Sequence, residues 1–175
     1  MKLLVVVDMQ NDFIDGALGT LEAQAIVPNV AAKIKQYVEN GDKVLFTADT
    51  HFSENYLETQ EGQKLPVPHC IHGTHGWQIA DGLYVDNAPL VTKTTFGCWD
   101  LGHRLQSMLE PQSEFESIEV IGLCTDICVI SNVMIIKSWF EETPIIVDSS
   151  CCAGVTPESH KNALEAMKMC QIEVV

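Results

Sequence analysis

In the stretch Val120-Ile121-Gly122-Leu123-Cys124-Thr125-Asp126-Ile127-Cys128-Val129 an apolar run breaks at a small polar turn and resumes as an apolar helix, with Cys128 in its first turn. A thiol in that position feels the positive end of the helix macrodipole, which favours thiolate and makes the sulfur a nucleophile near neutral pH. A cysteine nucleophile also needs a proton acceptor, a nearby cation and donors for the oxyanion of a tetrahedral intermediate. Asp8 supplies the acceptor, Lys93 the cation, and backbone N–H groups at the turn before Cys128 the donors. Outside catalysis the same cysteine would serve as a small buried apolar residue. A second group of donors follows from Asp49 and His51, two apart, and His69 in Leu65-Pro66-Val67-Pro68-His69-Cys70. Oxygen and nitrogen donors of this kind suit a divalent transition ion, zinc, manganese or iron, with water at open positions.

These groups need a frame that brings them together. Residues 3–7, Leu-Leu-Val-Val-Val, form a continuous apolar run ending at Asp8, as in a parallel strand covered on both faces. A helix follows, with Ile26, Val30, Ile34 and Val38 at helical spacing and Pro28 in its first turn, until Asn40-Gly41 stops it. Residues 43–48 make strand two, ending in Asp49, and Leu90-Val91-Thr92 makes strand three, ending at Lys93. Between them, from His51 to about Asn87, lies a long polar loop, and loops of that length inside a compact domain are usually functional. Residues 99–110 fit an amphipathic helix, 117–123 strand four, Val129 to about Phe140 a deeply buried helix, 144–147 strand five ending at Asp148, and 172–175 a sixth strand after the helix that Pro157 opens. Alternating strands and helices predict a doubly wound α/β domain with a mostly parallel sheet, filling residues 1–175 as one unit. Such sheets bind ligands beyond the carboxyl ends of their strands, and Asp8, Asp49, Lys93 and Cys124 to Cys128 all fall there.

Composition narrows the partners. With 24 acidic against 10 basic residues the net charge is −14, which repels nucleic acid and anionic membrane surfaces. No apolar run approaches the roughly 20 residues a membrane helix needs. Seven cysteines, two of them adjacent at Cys151-Cys152, do not form a disulfide framework, and Asp8, Asp12 and Asp15 interrupt any signal-peptide pattern, so the expected compartment is the reducing cytoplasm.

Four segments, Val6-Val7-Asp8-Met9-Gln10-Asn11-Asp12-Phe13, Thr47-Ala48-Asp49-Thr50-His51, Lys93-Thr94-Thr95-Phe96 and Gly122-Leu123-Cys124-Thr125-Asp126-Ile127-Cys128, resemble the isochorismatase-like cysteine hydrolases, and the metal-bearing pieces resemble their nicotinamidase branch. The resemblance implies a Rossmann-like six-stranded parallel sheet ordered 3-2-1-4-5-6 with helices on both faces. It implies an Asp8-Lys93-Cys128 triad, and a cis peptide between Leu123 and Cys124 that aims the N–H of Cys124, with that of Cys128, at the substrate oxygen. The implied reaction is hydrolysis of a small amide, nicotinamide foremost, through a Cys128 thioester. The implied metal, zinc or else manganese or iron, lies on Asp49, His51, His69 and a further ligand. No histidine occurs between His51 and His69, so Glu54, Glu58 or Glu61 takes the fourth place, with Glu61 favoured because it leads into the His69 segment. The substrate pocket expected from the pattern includes Phe13 and Leu123, with Phe96 and Trp99 as further aromatic candidates. The resemblance also implies a homo-oligomer. Two other functions stay open on the residues: an amidase for another small amide or ureido compound, and a zinc or thiol-redox module that turns over no amide.

Overall fold

β1 (Leu3–Val7) is buried at every residue, as five consecutive Leu and Val side chains require of a strand covered on both faces. In the computed structural model, which describes residues 1–175, it lies inside a six-stranded sheet of order β3-β2-β1-β4-β5-β6. The other strands are β2 (Lys43–Asp49), β3 (Leu90–Lys93), β4 (Ile118–Leu123), β5 (Ile145–Ala153) and β6 (Glu173–Val174), and all pairings are parallel. The sheet is the one expected. Strand order reverses between β1 and β4, so the crevice beyond their carboxyl ends is where a doubly wound sheet receives a ligand.

The helices are α1 (Asn11–Ile14), α2 (Leu21–Glu39), α3 (Gln60–Lys64), α4 (Leu101–Gln106), α5 (Ile130–Trp139) and α6 (Pro157–Met169). α2 starts earlier than its apolar spacing suggests, because the Thr20 hydroxyl accepts from the Ala23 N–H at 3.0 Å and caps it. Pro28 therefore lies inside the helix rather than in its first turn. α4 is about half the expected length. α5 is less buried than its composition predicts: Asn132, Val133 and Ile136 face the core, while Ile130, Met134 and Ile135 are only partly covered and Trp139 is exposed. A helix on the face of a sheet has one side against the strands, and here α4 packs on part of the other, with the Trp139 ring against Gly102. No helix is long and apolar enough to cross a membrane.

Near the site, β5 runs past Asp148 to Ala153 and carries Cys151 and Cys152 into the sheet, with a register shift against β4 between Val120 and Gly122. Gly122 has φ +122°, and a Cβ there would stand 2.1 Å from the carbonyl oxygen of Val7. Only glycine lets β4 approach β1 this closely at the level where Asp8 leaves the sheet.

A polar cluster ties α2 to the sheet. Glu119, buried on β4, accepts from the Tyr37 hydroxyl at 2.6 Å, and the Lys33 ammonium lies 2.6 Å from Glu119 and 2.9 Å from Asp148. Partial burial works against the Asp148 carboxylate, but hydrogen bonds from Lys33 and Ser150 hold its pKa below the usual value. A carboxyl lowered on folding stabilises above its unfolded pKa, and the contribution fades as pH falls through 3.8 and below. The variant Lys33→Met is thus expected to melt below wild type at neutral pH, with the gap narrowing in acid. Thermal melts across that range check this, and a gap that widens in acid contradicts it.

Candidate active site

β1 delivers Asp8 with φ 48°, a left-handed conformation that turns the chain out of the sheet and that aspartate tolerates better than most residues. The carboxylate is fully buried. Its Oδ1 accepts from the Thr47 hydroxyl at 2.6 Å, and its Oδ2, which has no well-aligned hydrogen bond, lies 2.6 Å from the Lys93 ammonium. Lys93, at the end of β3, also reaches Asp49 Oδ1 at 3.3 Å and Cys128 Sγ at 3.5 Å. The structure therefore brings Asp8 and Cys128 to one ammonium, that of Lys93, from three elements far apart in sequence.

Their protonation follows from burial and neighbouring charge. Burial disfavours the Lys93 cation, yet Asp8, Cys128 and Asp49 together push its pKa up, so it stays charged. Burial and the Asp49 charge raise Asp8 against the pull of Lys93. Cys128 differs from the sequence expectation: burial, with Asp8 added, carries its thiol well above the ordinary range despite the opposing effect of Lys93. The helix-terminal dipole does not outweigh desolvation of a sulfur that is almost fully enclosed. At rest the site holds a thiol and the Asp8 carboxylate on one ammonium, that of Lys93.

After β4 the Leu123–Cys124 peptide is cis. The chain then makes a π-helical turn, Thr125–Val129, before α5. The N–H of Cys124 makes no hydrogen bond within the protein, while its carbonyl accepts from Ile127 and Val129. The turn is braced from α6, where the His160 ring lies 2.7 Å from the Thr125 hydroxyl. Asn132 ties the same region together by donating to the Cys128 carbonyl at 2.8 Å and accepting from the Cys98 N–H at 2.9 Å.

Beside Lys93 the carboxylates and rings of Asp49, His51, Glu61 and His69 converge, with one donor atom from each inside a 4.8 Å span. His51 Nε2 lies 3.0 Å from Asp49 Oδ2 and 3.6 Å from Glu61 Oε1, and His69 Nε2 lies 3.7 and 3.5 Å from the same two atoms. Donors about 2.0–2.2 Å from one zinc-sized ion stand roughly 3–4 Å apart, so the set fits such an ion. His69 Nδ1 is held by the Val67 carbonyl at 2.8 Å, which leaves Nε2 as the free donor facing the cluster. Among the three glutamates open from sequence, the structure brings Glu61 to this group, on a short helix capped by Thr59.

A cavity of about 160 Å³ opens over Cys128, walled by Phe13, Leu18, Leu65, Phe96, Cys124 and Ile127, with Asp49, Glu61, Lys64 and His69 completing its lining. An apolar space of about 150 Å³ takes one benzene ring, which sets the scale of the ligand. A wider basin of about 640 Å³ shares Glu61, Lys64 and Phe96 with it. Phe13 stands on the cavity wall with its ring 5.5 Å from that of His69. Leu123, expected in the pocket, is not: its side chain packs in the core, because the chain turns at the next residue and presents Cys124 instead. Phe96 lines the cavity, whereas Trp99 points to solvent, three-quarters exposed. Thr47, Gln10, Asp12 and Tyr56 support the site and were not singled out from sequence. Thr47 was the accessible one, since it lies two residues before Asp49 on β2 and so shares its face.

Residues 2–175 match the family model described as the isochorismatase domain. A nicotinamidase/pyrazinamidase of Mycobacterium tuberculosis is 25% identical over 100% of this chain and 98% of its own length. An Arabidopsis thaliana protein described as a probable inactive nicotinamidase is 28% identical, covering 94% of this chain and 87% of its own. Among solved structures, the pyrazinamidase of Pyrococcus horikoshii in complex with zinc superposes with a TM-score of 0.82 at 25% identity, over 99% of this chain and 98% of that one.

Proposed function

The chain belongs to the isochorismatase family, and from that premise we propose that it is a cysteine amidase that hydrolyses a small aromatic carboxamide, nicotinamide foremost, to the acid and ammonia. The observation that carries this reading is the contact chain Asp8-Lys93-Cys128 at the floor of a cavity sized for one ring. Amide hydrolysis by relatives that are named nicotinamidases supports it.

Cys128 Sγ attacks the carboxamide carbon as its proton passes to Asp8, which keeps sulfur uncharged until the bond forms. The Lys93 ammonium offsets the charge that remains on the Asp8–Cys128 pair. The oxyanion is received by the N–H groups of Cys124 and Cys128, each such donor contributing about 3–4 kcal/mol to lowering the barrier. Asp8 then returns its proton to the leaving nitrogen, ammonia departs, and a water deprotonated by Asp8 cleaves the thioester and frees the thiol. Asp49, His51, Glu61 and His69 would hold a divalent ion, zinc or else manganese or iron, which when bound supplies a Lewis-acidic anchor for the ring nitrogen. Phe13, Leu65 and Phe96 enclose the ring and exclude water. All seven cysteines are unpaired, which supports a cytoplasmic setting, and the partly covered face of α5 supports a homo-oligomer.

Ammonia release from nicotinamide, measured beside bound metal, tests the reading. The expected result is turnover together with a divalent ion, and a loss of roughly 100-fold in kcat/KM on chelation that returns when metal is added back. Turnover confined to ureido or aliphatic amides moves the substrate while keeping the mechanism. A metal-bound protein that releases no ammonia from any small amide leaves a binding module and overturns the proposal.

A further inference from the structure

Two side chains just after β1, Gln10 on the link into α1 and Asp12 in α1 itself, hold the metal-ligand group without belonging to it. We propose that Gln10 and Asp12 are positioning residues for the metal centre, Gln10 setting Asp49 and Asp12 setting His69; this rests on the metal reading above. Gln10 is fully buried, and its amide uses every bond it makes on neighbouring backbone. Oε1 accepts from the Asp49 N–H at 2.7 Å, and Nε2 donates to the Asp49 carbonyl and to the Trp77 carbonyl, both at 2.8 Å. The β1–β2 ladder ends at the Val7–Thr47 pair, whereas β2 continues beside β3 as far as Asp49. Asp49 therefore reaches the site with its β1-side N–H and C=O lacking a strand partner, and the Gln10 amide takes the place of the missing residue of β1. Buried backbone groups left unpaired carry a large penalty, so the side chain fixes both where β2 ends and where the Asp49 carboxylate points.

Asp12 does the same for the second loop. Its Oδ2 accepts from the Cys70 N–H at 2.7 Å, and its own N–H donates to the Gly76 carbonyl at 3.0 Å. Cys70 follows His69 directly and has φ 46°, a left-handed conformation unfavourable for a non-glycine residue, so the bond its N–H donates to Asp12 stabilises a turn that would otherwise relax. The same segment is stitched to His51, whose N–H donates to the Cys70 carbonyl at 3.0 Å and whose carbonyl accepts from the His72 N–H at 2.8 Å. A Cβ on Gly76 would stand 2.1 Å from Asp12 Oδ2, so residues 70 to 76 close around this carboxylate. One short segment thus sets two ligands, one at the end of β2 and one in the loop after α3.

Metal affinity, read by competition with a chromophoric chelator on protein of wild-type circular dichroism, tests this without reference to turnover. Gln10→Ala and Asp12→Ala are expected to lose about 10–100-fold in affinity, the usual effect of removing a group that orients a ligand. Asp12→Asn, which keeps an oxygen for the Cys70 N–H, is expected to recover most of the loss, and the cobalt-substituted spectrum is expected to shift in the alanine variants and return in Asp12→Asn. Should either alanine variant fail to fold, Gln10→Glu decides: it keeps the acceptor and the size but loses both donors, and is expected to bind more weakly. Variants that bind like wild type overturn the inference and leave the metal reading standing. A wild-type protein that binds no divalent ion overturns both.

Discussion

Replacing Cys128 with alanine is expected to lower ammonia release by roughly 10⁴-fold or more, the scale seen when a covalent nucleophile is removed. The fold should tolerate the change, because the side chain is small and alanine leaves only a sulfur-sized gap, for a stability loss of about 1 kcal/mol. Metal content should not change either, since Cys128 is not in the donor group. Cys128→Ser sharpens the result. Its hydroxyl is a weaker acid than a thiol, and Asp8 is a weak base for it, so turnover should be lost there too. Steady-state ammonia release and bound metal, measured on both variants, check this. A Cys128→Ala protein retaining a tenth of wild-type turnover would remove the sulfur from the mechanism.

The second large effect is expected from Lys93→Met. Lys93 is the ammonium that faces both Asp8 and Asp49, at 2.6 and 3.3 Å, and all three groups are buried. Methionine matches the stem but leaves two enclosed carboxylates with no cation between them. Breaking a buried pair in this way costs about 3–5 kcal/mol, most of it the penalty on the charge left behind. If that is the cause, Asp8→Asn in the same chain should recover part of the loss, because it removes one of the stranded charges. A double-mutant cycle on denaturant unfolding measures this directly. Turnover should be lost in every variant of the cycle. A change under about 1 kcal/mol for Lys93→Met alone would place the pair among weakly coupled surface charges and contradict the geometry.

How far the fold could be read in advance depended on which interactions were local. The run Leu3 to Val7 and the run ending at Leu123 are too apolar and too short for anything but buried strands, and their ends at Asp8 and Cys124 mark where the chain returns to polar surroundings. The order of the strands came from the resemblance of the motifs, since no local pattern states which strand lies beside which. Pro28 shows the converse error. Apolar spacing locates the buried face of α2, but its start is set by Thr20, a hydroxyl capping an amide three residues on.

Sequence by itself determined the chemistry available: a thiol, an acid and an amine at successive strand ends, and oxygen and nitrogen donors at Asp49, His51 and His69. Residue type and spacing along one chain are enough for that. Tertiary structure decided what those groups are when assembled. It put Glu61 rather than Glu54 or Glu58 against the two histidines, turned Leu123 into the core and Cys124 toward the cavity, and made Gln10 a substitute for missing strand. It also reversed the expected state of Cys128, from thiolate to thiol. Ionisation depends on how much water and how much opposite charge surround an atom, and both come from residues that meet only when the sheet closes.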